Sequence, residues 1–243
     1  MIIFTGTGRS GTGLYSKLFQ AHHEYQVERL MQLIKALTPD YNQPAADPLS
    51  AFDRRLRIIA TQLLTVDLAG FRDSSNPYIH FLDALYVIDP DVRIVLGLRD
   101  GRDFAVSGVT RGYHTPKYSF FSMVPEKDDP YYERWPSLNP IEKMAWMWVY
   151  RNQKALSRLE NVPQKNYHIV RLEDLTSGTQ EAEKHIVLLE DFVGMKMDRQ
   201  WLKVSYNRNP TYALPPKEEW TPEMNRSFLD IGGEMMRRFG YIE

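Results

Sequence analysis

The 243-residue sequence has no cysteine. That excludes a disulfide framework, a thiolate nucleophile and a zinc–thiolate site. Long apolar runs are missing too. No stretch approaches the roughly 20 residues that a helix needs to span a bilayer, and Met1 leads straight into an apolar segment with no room for a signal peptide. The expectation is a cytoplasmic protein without a membrane span. An excess of one charge is also lacking: 30 Lys and Arg stand against 31 Asp and Glu. No global field then points to nucleic acid, and any anion site must be built locally. There is no internal repeat, low-complexity tract or long linker, so residues 1–243 read as a single domain.

What is present is an alternation of apolar strands and amphipathic helices. Ile2–Thr5, Arg93–Leu98 and Tyr167–Leu172 read as buried strands, and Gly70–Asp73 as a short strand or turn. Helical spacing runs over residues 28–37 and 49–68, with Arg54, Arg55 and Arg57 expected on a solvated face. Asn76-Pro77 reads as a helix start. Further helices are expected over about 104–111, 140–159 and 181–193, the last stopped by Gly194, and from Thr221-Pro222 to Gly240. Residues 112–139 have little periodicity and carry Tyr113, Tyr118, Phe120, Phe121, Tyr131, Tyr132 and Trp135. A loop of that length and composition suits a binding segment. The alternation implies an α/β fold with a parallel central sheet flanked by helices.

The first strand runs into Gly6-Thr7-Gly8-Arg9-Ser10-Gly11, and then into Thr12-Gly13-Leu14 of a helix. Strand, glycine loop and helix together make a phosphate cradle, because glycines let backbone N–H groups turn inward and the helix start adds partial positive charge. Gly6 and Gly11 have the spacing of the nucleotide-triphosphate loop G-x-x-x-x-G-K-[ST]. Thr12 stands in place of its lysine, and Gly13 in place of its magnesium-holding Ser/Thr. The loop can still hold phosphate, and it gains Arg9. A plain glycine turn joining strand to helix is the alternative. At the end of the second strong strand, Arg99-Asp100-Gly101-Arg102-Asp103 turns into a helix that carries Ser107, where an arginine and a hydroxyl can share an anion. As structure alone, the same segment is a charged turn.

The loop G-x-G-R-S-G-T resembles the 5′-phosphosulfate loop of the sulfotransferases that use 3′-phosphoadenosine-5′-phosphosulfate (PAPS). L-R-D-G-R-D-F-A-V-S resembles their 3′-phosphate motif, an arginine followed eight residues later by a serine. Arg171-Leu172-Glu173-Asp174-Leu175 is similar to the family's R-Y-E-D-L segment, with Leu172 for the tyrosine. The helix K-M-A-W-M-W-V-Y-R-N and the ending W-T-P-E-M-N with F-G-Y are similar as well. The resemblance implies a P-loop-type three-layer sandwich, with helical and loop insertions forming the acceptor side. It implies in-line transfer of a sulfuryl group from PAPS to an acceptor hydroxyl or amine, leaving 3′,5′-adenosine diphosphate and needing no metal. The acceptor would be a small molecule or a glycan.

On that resemblance, Gly8, Arg9, Ser10, Gly11, Thr12, Gly13 and Leu14 hold the 5′ end of the donor, with Arg9 stabilising the leaving phosphate. Arg99 and Ser107 hold the 3′-phosphate, and Arg208 or Lys217 closes over it. For the general base, Glu28 comes first, because several family members carry a glutamate shortly after the first helix. A helix-capping role for Glu28 is the alternative. His22 and His23 are runners-up, and Asp73 is third. Two other functional classes compete: a nucleotide kinase or NTPase with a divergent loop, and a nucleotide-binding module without catalysis.

Overall fold

The computed structural model describes residues 1–25, 48–115, 123–203 and 212–243. The chain divides into two compact units, Met1–Leu98 with Lys154–Ser205, and Arg99–Gln153 with Tyr206–Glu243. Its strands among the described residues are β1 (Ile2–Gly6), β2 (His22–His23), β3 (Arg72–Ser74), β4 (Arg93–Leu98) and β5 (Tyr167–Arg171). Its α-helices among the described residues are α1 (Thr12–Leu18), α2 (Pro48–Leu63), α3 (Leu82–Ile88), α4 (Gly101–Thr110), α5 (Pro140–Leu159), α6 (Leu172–Thr176), α7 (Gln180–Val193) and α8 (Pro222–Arg238).

The first unit is built on an all-parallel sheet with strand order β2-β3-β1-β4-β5, flanked by helices. This is the α/β architecture that the alternation implies. The chain leaves β1 toward β3 and β2, then returns to β1's other side as β4. The winding therefore reverses between β1 and β4, and doubly wound sheets open a ligand crevice beyond the carboxyl ends of the strands at such a point. Register sets Gly6 opposite Gly97 at that end.

Side chains alternate across the sheet with period two. Phe4, Ser74 and His23 share one register row, while Ile3, Asp73 and His22 share the next, on the opposite face. Helix α1 covers the Phe4 face, where the Phe4 ring stacks on Tyr15 (5.6 Å) and Phe19 (4.9 Å). All three rings are fully buried, and burying a large apolar side chain contributes roughly 1.5–3 kcal/mol.

Local signals set several helix ends. The Thr179 hydroxyl accepts the Ala182 N–H (3.2 Å) at the start of α7, and Gly194 ends that helix in the left-handed region. Two readings are corrected. Asn76-Pro77 opens a 3₁₀ turn (Asn76–His80) rather than the helix itself, which begins only after Phe81 turns its ring into the core. Arg55 is not merely solvated: its Nη2 reaches Asp83 Oδ2 at 2.5 Å, linking α2 to α3. The expected helix over 28–37 lies outside the described residues.

The second unit gathers α4, α8 and most of α5. Trp148, Phe104 and Phe228 are fully buried there. A Cβ on Gly101 would press into Phe228 and lie 2.9 Å from Trp148 Cδ2, so only glycine lets α4 start here. Asn139 and Glu142 make a reciprocal capping box at the start of α5 (3.0 and 2.7 Å). Of the aromatic segment 112–139, residues 116–122 lie outside the described residues. Trp135 packs edge-on to Trp146, whose indole N–H donates to Asp129 (3.0 Å). No helix among the described residues is long and apolar enough to cross a membrane.

Candidate functional site

The glycine loop is shaped by three left-handed residues, Gly8 (φ 94°), Arg9 (φ 58°) and Gly11 (φ 93°). Mixing left- and right-handed residues turns successive N–H groups into one concavity, the geometry that binds anions. Glycine takes this conformation freely, but arginine pays about 1–2 kcal/mol for it. Arg9 is half-buried in the loop. Ser10 is wholly buried, and its hydroxyl has no hydrogen-bond partner. It packs against Gly6, on the inner side of the loop.

The loop is held from several sides. A Cβ on Gly6 would collide with Gly97 O and the Ser10 hydroxyl. A Cβ on Gly97 would lie 2.8 Å from Tyr15 Cε2 and 3.0 Å from Ser10 O, so β4 keeps a glycine where the loop and α1 lean on it. Leu172 packs on Gly11, 2.8 Å from the position of a Cβ there. The Thr12 carbonyl accepts from the Ser74 hydroxyl (2.7 Å), tying the start of α1 to β3. Burial pushes the Tyr15 hydroxyl far above its ordinary value, with Glu173 and Asp174 adding to the effect.

The adjacent histidines part company on β2. His23 Nε2 comes within 3.6 Å of the position a Gly13 Cβ would occupy, so its imidazole borders the first turn of α1. His22 lies with Tyr25 (5.1 Å between ring centroids) and Phe71 (6.0 Å), in the register row of Asp73. Asp73 is fully buried. Its Oδ1 accepts from the Ser74 and Tyr25 N–H groups (2.8 and 3.3 Å), while Oδ2 has no hydrogen bond of good geometry. Burial raises its pKa above the ordinary value, against the pull of Tyr78, the two backbone N–H groups and His22. Glu28 and Arg208 lie outside the described residues.

In the second unit the Arg99 carbonyl accepts from the Trp148 indole N–H (3.2 Å), which fixes the turn before α4. Asp100 caps α4 through Arg102 N (2.9 Å). Arg102 grips both of its oxygens (3.1 and 2.8 Å), and Lys217 Nζ adds a third cationic contact at 2.9 Å. Lys217 also reaches Asp103 Oδ2 at 2.8 Å. Burial works to raise the Asp100 pKa, but the hydrogen bonds from Arg102 and Lys217 outweigh it and hold the carboxyl below its ordinary range. Lys217 therefore stands between two carboxylates. Ser107 is buried on α4, and its hydroxyl accepts from Arg111 Nη1 at 2.7 Å.

Two features escaped the sequence reading. Arg111 lies four residues after Ser107, the spacing that makes helix neighbours, so that pairing was available. The partners of Lys217, more than a hundred residues away in the chain, left no local trace.

No family model matches the chain, and no curated protein does. Among solved structures, the chain is similar to a sulfotransferase domain from the curacin biosynthetic pathway. The match has 13% sequence identity, covers 84% of this chain and 78% of that one, and has a TM-score of 0.48.

Proposed function

We propose that this chain is a sulfotransferase that moves a sulfuryl group from PAPS to an acceptor hydroxyl or amine. The observation that carries the reading is the glycine loop. It keeps an arginine in the left-handed region and has Thr12-Gly13 where a nucleotide-triphosphate loop has its lysine and metal-holding hydroxyl. Backbone strain at a non-glycine residue persists where the surroundings enforce it, commonly at functional sites.

In this reading the backbone N–H groups of Ser10 to Leu14 and the Thr12 hydroxyl hold the 5′-phosphate, and Arg99 and Ser107 take the 3′-phosphate. The acceptor oxygen or nitrogen attacks sulfur in line. As the new bond forms, the bond from sulfur to the bridging oxygen breaks, and the electron pair stays on the phosphate. Arg9 stabilises that growing charge, as fixed cations do in phosphoryl transfer. The acceptor's proton passes to a general base. Among the described residues His23 is the best placed, since it borders Gly13 and is exposed, whereas Asp73 and His22 occupy the other register row. The products are 3′,5′-adenosine diphosphate and a sulfated acceptor.

The test is thermal shift followed by transfer of radiolabelled sulfate from PAPS to pools of carbohydrates, phenols, lipids and peptides. Stabilisation by 3′,5′-adenosine diphosphate without magnesium, with label appearing in one pool, is expected. Larger stabilisation by ATP with magnesium would mean a kinase or NTPase instead. Arg9→Ala should cost about 100-fold or more in turnover, the scale seen when a group stabilising transition-state charge is removed. It should leave the melting temperature close to that of the parent, and Arg9→Lys should keep part of the activity. Near-normal turnover in Arg9→Ala contradicts the role.

A further inference from the structure

The basic side chains around α4 are used in two different ways. Arg102 and Lys217 are neutralised by Asp100 and Asp103. Arg111 is not: among the described residues no carboxylate pairs with it. Its guanidinium instead lies back along the helix, where Nη1 donates to the Ser107 hydroxyl at 2.7 Å and to the Ser107 carbonyl at 3.2 Å. Arg111 is half-exposed, while Ser107 is buried beneath it.

We infer that Arg111 is a ligand of the same anion subsite as Ser107 and a determinant of its preference for a 3′-phosphorylated nucleotide. This rests on the reading of the Arg99–Ser107 turn as the 3′-phosphate site. A phosphate monoester carries up to two negative charges and three acceptor oxygens, more than Arg99 and one hydroxyl satisfy. A guanidinium supplies a full charge and a planar fork of donors suited to two phosphate oxygens. Arg111 already rests on the Ser107 oxygen, one helical turn away, so its position is set before any ligand arrives. Lys217, a further cation near this turn, would first have to leave two carboxylates.

The experiment is calorimetric titration of 3′,5′-adenosine diphosphate and of adenosine 5′-monophosphate into the parent chain, Arg111→Gln, Arg111→Lys and Ser107→Ala. The parent should prefer the 3′-phosphorylated nucleotide. Arg111→Gln should lose about tenfold to a hundredfold in affinity for it, the effect of one or two hydrogen bonds to a charged group, and nothing for the monophosphate. Arg111→Lys should fall between, since a lysine keeps the charge without the fork. Equal losses for both nucleotides would make Arg111 merely structural and overturn the inference. So would a preference that is undiminished in Arg111→Gln. A parent chain that binds both nucleotides equally would remove the subsite itself, and Arg111's role with it.

Discussion

Replacing Lys217 with methionine keeps the length of the side chain and deletes its charge. Two hydrogen bonds disappear, to Asp100 Oδ2 (2.9 Å) and Asp103 Oδ2 (2.8 Å). The two carboxylates respond differently. The Asp103 side chain is 25% exposed and can rehydrate, so its share is that of a surface pair, about 0.2–1 kcal/mol. The Asp100 side chain is 4% exposed and cannot rehydrate, yet it keeps both contacts to Arg102. Its share stays near the lower end of the range for a hydrogen bond to a charged group, about 1.5 kcal/mol. The sum is about 2 kcal/mol of lost stability. Urea denaturation followed by tryptophan fluorescence measures it, since Trp148 is bonded to the turn before α4. The pH dependence has a definite sign. The Asp100 pKa is depressed in the folded chain, so its contribution is present above the unfolded value of about 3.9 and is lost as pH falls through the folded value. The gap between parent and Lys217→Met should therefore hold at neutral pH and close below about pH 4. A variant as stable as the parent but unable to bind 3′,5′-adenosine diphosphate would refute this reasoning and put Lys217 on the ligand instead.

Two other perturbations probe the first unit. Gly97→Ala introduces a methyl group 2.8 Å from Tyr15 Cε2 and 3.0 Å from Ser10 O. It should cost about 1–3 kcal/mol by overpacking and weaken nucleotide binding by shifting Ser10, as read by urea denaturation and calorimetry; unchanged binding would separate the loop from β4. Asp73 has a raised folded pKa, so the stability tied to its proton is fully present below the unfolded value and is lost as pH rises through the folded one. Asp73→Asn cannot ionise and should lose less stability than the parent from about pH 4 upward. Parallel stability curves for the two proteins would contradict the shift.

Much of the frame was legible in the sequence because it is encoded within a few neighbouring residues. Ile2–Thr5, Arg93–Leu98 and Tyr167–Leu172 combine β-branched or apolar runs with turn residues, and all three became strands, the third ending at Arg171 because Leu172 opens α6. Thr179, Gly194 and Thr221 mark helix ends by chemistry that acts over one turn. The glycine loop was readable for the same reason: six adjacent residues fix its backbone. The Arg55–Asp83 pair was not, since nothing in α2 reports what α3 will set beside it.

The sequence by itself determined that the chain alternates strands and helices, and that two glycine-bearing turns follow strands and carry arginine. Only the tertiary structure decided which side chains meet at those turns. His22 and His23 are indistinguishable along the chain. His23 borders the loop because β2 adds to β3 in the register that sets it opposite Ser74, the residue bonded to Thr12. Lys217 is one of many cations in the sequence, and it became a clamp because the chain brings it back to Asp100 and Asp103. Backbone propensity acts over a few residues, whereas register and ion pairing between distant segments are settled by packing the whole unit.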